Sequence, residues 1–198
     1  MANTSRYVKR DELPNPKKLR GAVKLAGDFP NDSYIIGVPK VVQLRTDTVG
    51  NITTGLDQLH SFSVPPKAWK NGDVFHLRIG GLFATNDNDK RIQLEVGGVA
   101  THNTGLFDQD SGRWTYDLDY ARLSTTSITV SIILHWYFGT RDGAGTAGGN
   151  YLFTGETYQI GSIPDMDSNT TVLRVMGEAT ATDDIQQIYS RISLTRFS

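Results

Sequence analysis

The side chains best suited to moving protons or holding a metal near neutral pH are the four histidines, His60, His76, His102 and His135. No two lie closer than 16 residues, and none belongs to an H-E-x-x-H pattern, which on a helix would set two imidazoles on one face. The chain has no cysteine, which excludes disulfides, thiolate metal sites and cysteine nucleophiles. A serine nucleophile needs a histidine base and a strained turn, and no G-x-S-x-G is present. His76 and His135 fall on the polar-leaning face of alternating runs, as surface or interface histidines do.

Oxygen-rich patterns fare no better. Asp165, Asp167 and Asn169 open like an EF-hand loop. The sixth position is Thr170, where the sharp turn requires glycine, and the twelfth is Met176, where a bidentate glutamate is required. The pairs Asp87/Asp89 and Asp108/Asp110 read as acidic turns explained by Asx hydrogen bonding. The run Gly139–Asn150, GTRDGAGTAGGN, lacks G-K-[ST] and a following helix, so it reads as a loop between strands and not as a phosphate cradle. Asp117, Asp119, Glu95, Glu156 and Glu178 could in principle pair for glycoside hydrolysis, but on strands such acids usually form a solvated face. Sequons at Asn51-Ile52-Thr53 and Asn169-Thr170-Thr171 carry no weight without secretion. No catalytic, cofactor-binding or metal-binding residue is therefore assigned, and no cofactor is expected.

The elements that carry these residues are strands. Period-two alternation is clearest in 73–83, 90–97, 113–121, 126–138 and 188–197, with weaker candidates at 34–44, 58–64, 150–161 and 170–180. Phe75, Leu77, Ile79 and Gly81 share one face; so do Ile92, Leu94 and Val96, then Trp114, Tyr116, Leu118 and Tyr120. In the last run Ile188, Ser190, Ile192 and Leu194 oppose Tyr189, Arg191, Ser193 and Thr195. Asn71-Gly72, Asn86–Asp89, Gly97-Gly98 and Asp110–Gly112 punctuate the runs as turns. The expected fold is all-β: an antiparallel two-sheet jelly-roll sandwich of about 8–10 strands over residues 34–198, with almost no helix. Residues 1–33, broken by Pro14, Pro16, Gly21, Gly27 and Pro30, read as an extended N-terminal arm.

The strand at 126–138 has one apolar face and one mixed face carrying Thr129, Ser131, Ile133, His135 and Tyr137. A mixed face either contacts another subunit or is covered by the same chain; on the first reading Ile133, His135 and Tyr137 are candidate interface residues.

Charge is divided unevenly. Residues 1–27 hold Arg6, Lys9, Arg10, Lys17, Lys18, Arg20 and Lys24 against Asp11 and Glu12, a balance of +5. The other 171 residues carry 13 basic and 19 acidic groups, a balance of −6. Such a stretch is either a solvated, flexible tail or an arm that lies along an acidic partner, and on the second reading these seven basic side chains are the candidate partner-binding residues. Nucleic acid is not expected: the basic residues are scattered, Tyr7 is the only aromatic among residues 1–27, and the prolines preclude a basic helix. No membrane partner is expected either, since no apolar run approaches the roughly 18–20 residues that span a bilayer. The start, MANTSRYVKRDELPNPKKLR, lacks a secretory h-region, which suits synthesis in a cytoplasm.

Residues 59–98 carry a recognisable pattern: Val64-Pro65, then Gly72-Asp73, the polar turn Asn86–Asp89, and a strand with Lys90, Ile92, Leu94, Gly97 and Gly98. With the aromatic strand Trp114–Tyr120, the long strand Ile128–Phe138 and the closing strand Ile185–Phe197, the chain over about residues 56–198 resembles virion structural proteins of tailed bacteriophages. These are capsid decoration or cement proteins and tail-fibre or spike tips. The resemblance implies a jelly-roll body, often a homotrimer, and no catalytic residues. The leading expectation is a decoration protein on the capsid surface, partnered by itself and by the major capsid protein. The alternative is a tail-fibre tip binding a host-surface glycan, with Trp69, Trp114, Trp136 and Tyr137 as a stacking platform if exposed. A polysaccharide depolymerase would rest on generic acids alone, and a major capsid protein would need a more basic arm.

Overall fold

A computed structural model describes residues 36–52, 54–86, 88–108, 112–138 and 150–197. It contains twelve strands and no helix among them. In chain order these are β1 (Lys40–Arg45), β2 (Val49–Gly50), β3 (Asp57–Val64), β4 (Val74–Phe83), β5 (Asp89–Val96), β6 (Val99–Asn103), β7 (Phe107–Asp108), β8 (Gly112–Arg122), β9 (Ile128–Phe138), β10 (Asn150–Ile160), β11 (Thr171–Ala179) and β12 (Ile185–Thr195). Each of the nine runs anticipated from alternation contains a strand, although in 34–44 the strand begins only at Lys40. The two-residue β2 and β7 and the short β6 are too brief to show a period.

The strands form two antiparallel sheets. The larger runs β1-β12-β4-β8-β9-β10, with β2 on β12; the smaller runs β3-β11-β5-β6, with β7 on β5. The four-strand orders β1-β12-β4-β8 and β3-β11-β5-β6 are a jelly-roll winding, in which the last two long strands insert between early ones. The hairpin partners β9 and β10 extend the larger sheet beyond that winding. The added width gives this sheet a broad outer face.

The core lies between the sheets. Phe75, Ile79, Ile92, Leu94, Val96, Tyr116, Ile128, Val130, Ile192 and Leu194 are fully buried. Each sits at the alternate position where period two points it inward. Burying one such side chain contributes about 1.5–3 kcal/mol. Trp69, Trp114 and Trp136 join this core at 1%, 1% and 6% exposure, so no tryptophan serves as a stacking platform. Gly81 admits the Trp114 indole, since a Cβ there would lie 2.6 Å from that ring.

One anticipated face is corrected. Ile188 does not share the core face with Ser190, Ile192 and Leu194. Opposite Gly80 and Gly81, β12 presents Tyr189 and Gln187, and Ile188 is the extra residue of a β-bulge. The bulge flips the alternation, so Ile185 and Gln187 point inward before it.

Two buried polar networks explain turns visible in the sequence. Asp73 and Arg196, 0% and 1% exposed, pair at 2.6 Å through Oδ2 and Nη1. Arg196 Nη2 also donates to the Ala68 carbonyl at 2.6 Å, and Asp73 accepts from the backbone N–H of Lys70 and of Phe197. Trp69 Nε1 donates to the Asp73 carbonyl at 3.0 Å. Gly72 reaches φ +86° in the turn that delivers Asp73, a conformation open to glycine. The Val-Pro…Gly-Asp pattern thus builds a lock on the end of β12. At the opposite end of β4, Lys90 Nζ is enclosed by Asn86 O, Asn86 Oδ1 and Asn88 O at 3.1, 2.9 and 2.9 Å. Asp184 accepts from both asparagine amides, and Asn88 N–H donates to Asn86 Oδ1 in an Asx turn. An ammonium group therefore occupies the centre of the turn.

Candidate binding surface

Register places the outward side chains of the larger sheet in rows. One row reads Leu44, Arg191, Arg78, Asp117, Ile133 and Gly155 across five consecutive pairings. The next reads Val41, Ser193, His76, Asp119, Ser131 and Thr157. On the other side lie Tyr189, Gly80, Thr115 and His135. The β12, β4, β8 and β9 members of the first two rows line an open groove of about 360 Å³ that also includes Pro39.

The groove is divided by sign. Asp117 and Asp119 project from β8, two residues apart on the same face. His76 Nδ1 lies 2.6 Å from Asp119 Oδ1, and Nε2 lies 2.9 Å from Thr195 Oγ1. Arg78 Nε is 3.5 Å from Asp117 Oδ1. The Tyr189 hydroxyl also hydrogen-bonds Arg78, and this bond, followed by the Asp117 charge, raises the guanidinium pKa further. Tyr189 reaches there because its ring sits on Gly80, where a Cβ would be 2.5 Å from Cε1.

Arg191 stands directly opposite Arg78 and is exposed. It has no acidic partner among the described residues. Like charges opposite one another across a strand pair are destabilising, and the single carboxylate beside Arg78 compensates only one of the two.

The candidate interface residues Ile133, His135 and Tyr137 all lie on this outer face of β9. Ile133 and Tyr137 are 38% and 37% exposed. Arg6, Lys9, Arg10, Lys17, Lys18, Arg20 and Lys24 lie outside the described residues, as does the Gly139–Gly149 part of the glycine-rich run.

Other chemistry-bearing residues are dispersed. His60, 1% exposed, is buried in the sandwich with Nδ1 3.3 Å from Ser190 Oγ; burial, then the Arg45 charge, lowers its pKa to about 4. Burial likewise lowers that of His102, whose ring meets Tyr116 edge-on at 5.7 Å. Glu95 and Glu178 pair with Arg174 and Arg91 on the smaller sheet. Glu156 is exposed on the edge strand β10. In the Asp165–Asn169 turn, Asp165 accepts from Asp167 N–H and the Ser168 hydroxyl, and Asp167 binds Arg122 at 3.0 Å. Among the described residues no cluster of three or more histidine, aspartate or glutamate side chains is placed to hold a metal.

Alternation already put Tyr189 and Arg191 on the non-core face. Nothing in the sequence placed them against Arg78, because strands 113 residues apart in sequence were brought side by side by the winding.

No family model, no curated protein and no solved structure matches this chain.

Proposed function

We propose that this protein is a non-enzymatic structural component of a virus particle, a decoration or cement subunit attached through its basic N-terminal segment. The observation that carries this reading is the corner at which that segment joins the sandwich. Gly37 N–H donates to the Arg196 carbonyl at 2.7 Å, so the entering chain lies against the end of β12. Ile36, Val38 and Phe197, on either side of that contact, are 54%, 49% and 56% exposed. Three large apolar side chains at this corner, with a balance of +5 in residues 1–27 of the preceding chain, suit a surface that packs against a partner. Directly beneath, the Asp73–Arg196 pair fixes the end of β12, so a pull on the segment is borne by the core.

A segment of this kind gains contacts along a partner at the moment of binding and can link neighbouring subunits. The major capsid protein is the proposed partner and a homotrimer the proposed assembly, with the outer face of β9 around Ile133 as the proposed self-contact. Deletion of residues 1–33 is expected to leave a cooperatively folded body that no longer co-sediments with particles lacking this protein. Unchanged co-sedimentation rejects the attachment role.

A second reading, a fibre or spike tip that binds a surface glycan, is favoured by the groove on the larger sheet, where charged and hydroxyl side chains stand beside apolar ones. Immunogold labelling at the tail instead of the capsid would select it.

A further inference from the structure

We infer that the groove on the outer face of the larger sheet binds a carboxylate-bearing sugar, with Arg191 and Arg78 gripping the acid. The inference deepens the glycan reading and is independent of where on a particle the protein sits.

The like-charged pair is the starting point. Arg191 and Arg78 are cross-strand partners, and Arg191 has no acidic partner among the described residues. An anion placed between two adjacent guanidiniums removes their repulsion and accepts charge-assisted, bidentate hydrogen bonds. The planar guanidinium fork matches a planar carboxylate.

The rest of the groove indicates what carries that carboxylate. Along β8, Asp117 and Asp119 are acceptors, and Ser131 and Ser193 add hydroxyls. A simple inorganic anion would find these carboxylates repulsive. A sugar acid satisfies both halves: its carboxylate meets the guanidiniums and its ring hydroxyls donate to the aspartates. In the row next to the groove, Tyr189, held on Gly80 with its hydroxyl on Arg78, offers a ring at the groove's margin. Aromatic rings present an apolar surface with a polar tip, which suits the C–H face of a pyranose. The volume of about 360 Å³ lies at the lower end of small-ligand sites, enough for a short saccharide and not for a folded partner.

The test uses the full-length chain, 15N-labelled, titrated with tri-galacturonate, its neutral methyl ester, inorganic phosphate and a hexaglutamate peptide. The expected result is saturable shifts for tri-galacturonate in the amides of β4, β8 and β12, weakening as salt rises. Arg191→Gln is expected to reduce that affinity about tenfold or more with the spectrum otherwise retained. Arg191→Lys, which keeps the charge without the fork, is expected to fall between. Equal binding of the methyl ester overturns the acid grip while leaving a neutral-glycan groove. Equal binding of phosphate or hexaglutamate overturns the saccharide assignment. No shifts with any probe, or tri-galacturonate binding unchanged in Arg191→Gln, overturns the inference.

Discussion

Two regions of this molecule use arginine and aspartate to opposite ends. At the corner where β12 ends, Asp73 and Arg196 are both buried, paired at 2.6 Å and further satisfied by backbone groups. On the outer face of the larger sheet, Asp117 and Arg78 are 39% and 64% exposed at 3.5 Å, and Arg191 adds a second positive charge. The first arrangement uses its hydrogen-bonding groups internally and leaves little for a ligand. The second leaves donors facing solvent. A buried ion pair is weak evidence of net stability, yet breaking one side of it is severe, because the remaining charge stays in low dielectric. An exposed pair is screened and contributes little. The contrast separates a lock from a binding surface.

The contrast breaks most visibly at Asp73. Asp73→Ala strands Arg196 without its carboxylate and is expected to destabilise the fold by about 3–5 kcal/mol in urea unfolding. A loss below about 1 kcal/mol would show that the corner tolerates an unpaired guanidinium and is no lock.

The buried side of the contrast has a pH signature through His60. Its pKa in the fold is lowered to about 4, below its ordinary 6.5. The unfolded chain therefore takes up the proton first. Stability is intact above about pH 6.5 and falls as pH drops towards 4, by on the order of 3 kcal/mol once both states are charged. Urea midpoints recorded across that window should show the fall, and His60→Gln should flatten it.

Smaller effects sharpen the exposed side. Asp117→Ala is expected to change stability by no more than about 1 kcal/mol, as for other exposed pairs. The smallest effect carries the most informative sign. Arg191→Gln removes a like-charge neighbour from Arg78 and is expected to stabilise the chain slightly, by roughly 0.2–1 kcal/mol. A thermal midpoint that falls instead would show that Arg191 serves the fold, and would remove the reason for reading it as a ligand group.

The inward and outward faces of the strands were largely legible without coordinates. Phe75, Ile92, Trp114, Val130 and Ile192 each occupy the core position that alternation assigned. The lock was legible only as a pattern, Val64-Pro65 followed by Gly72-Asp73; its partner Arg196 lies 123 residues further on, and no local signal links them. Ile188 was misplaced because a bulge leaves no mark in composition, although Gly80 and Gly81 opposite it are where close approach needs glycine.

The sequence by itself determined that this chain is a β-sandwich with a basic front and an acidic body, because side-chain direction has period two and charge is countable. Only the tertiary structure decided which outward residues meet. The winding inserts β12 between β1 and β4, and the bulge sets the register there. Together they place Arg191 against Arg78 and close the corner over Asp73. Proximity across a sheet depends on strand order and register, and neither is written in the spacing of residues along the chain.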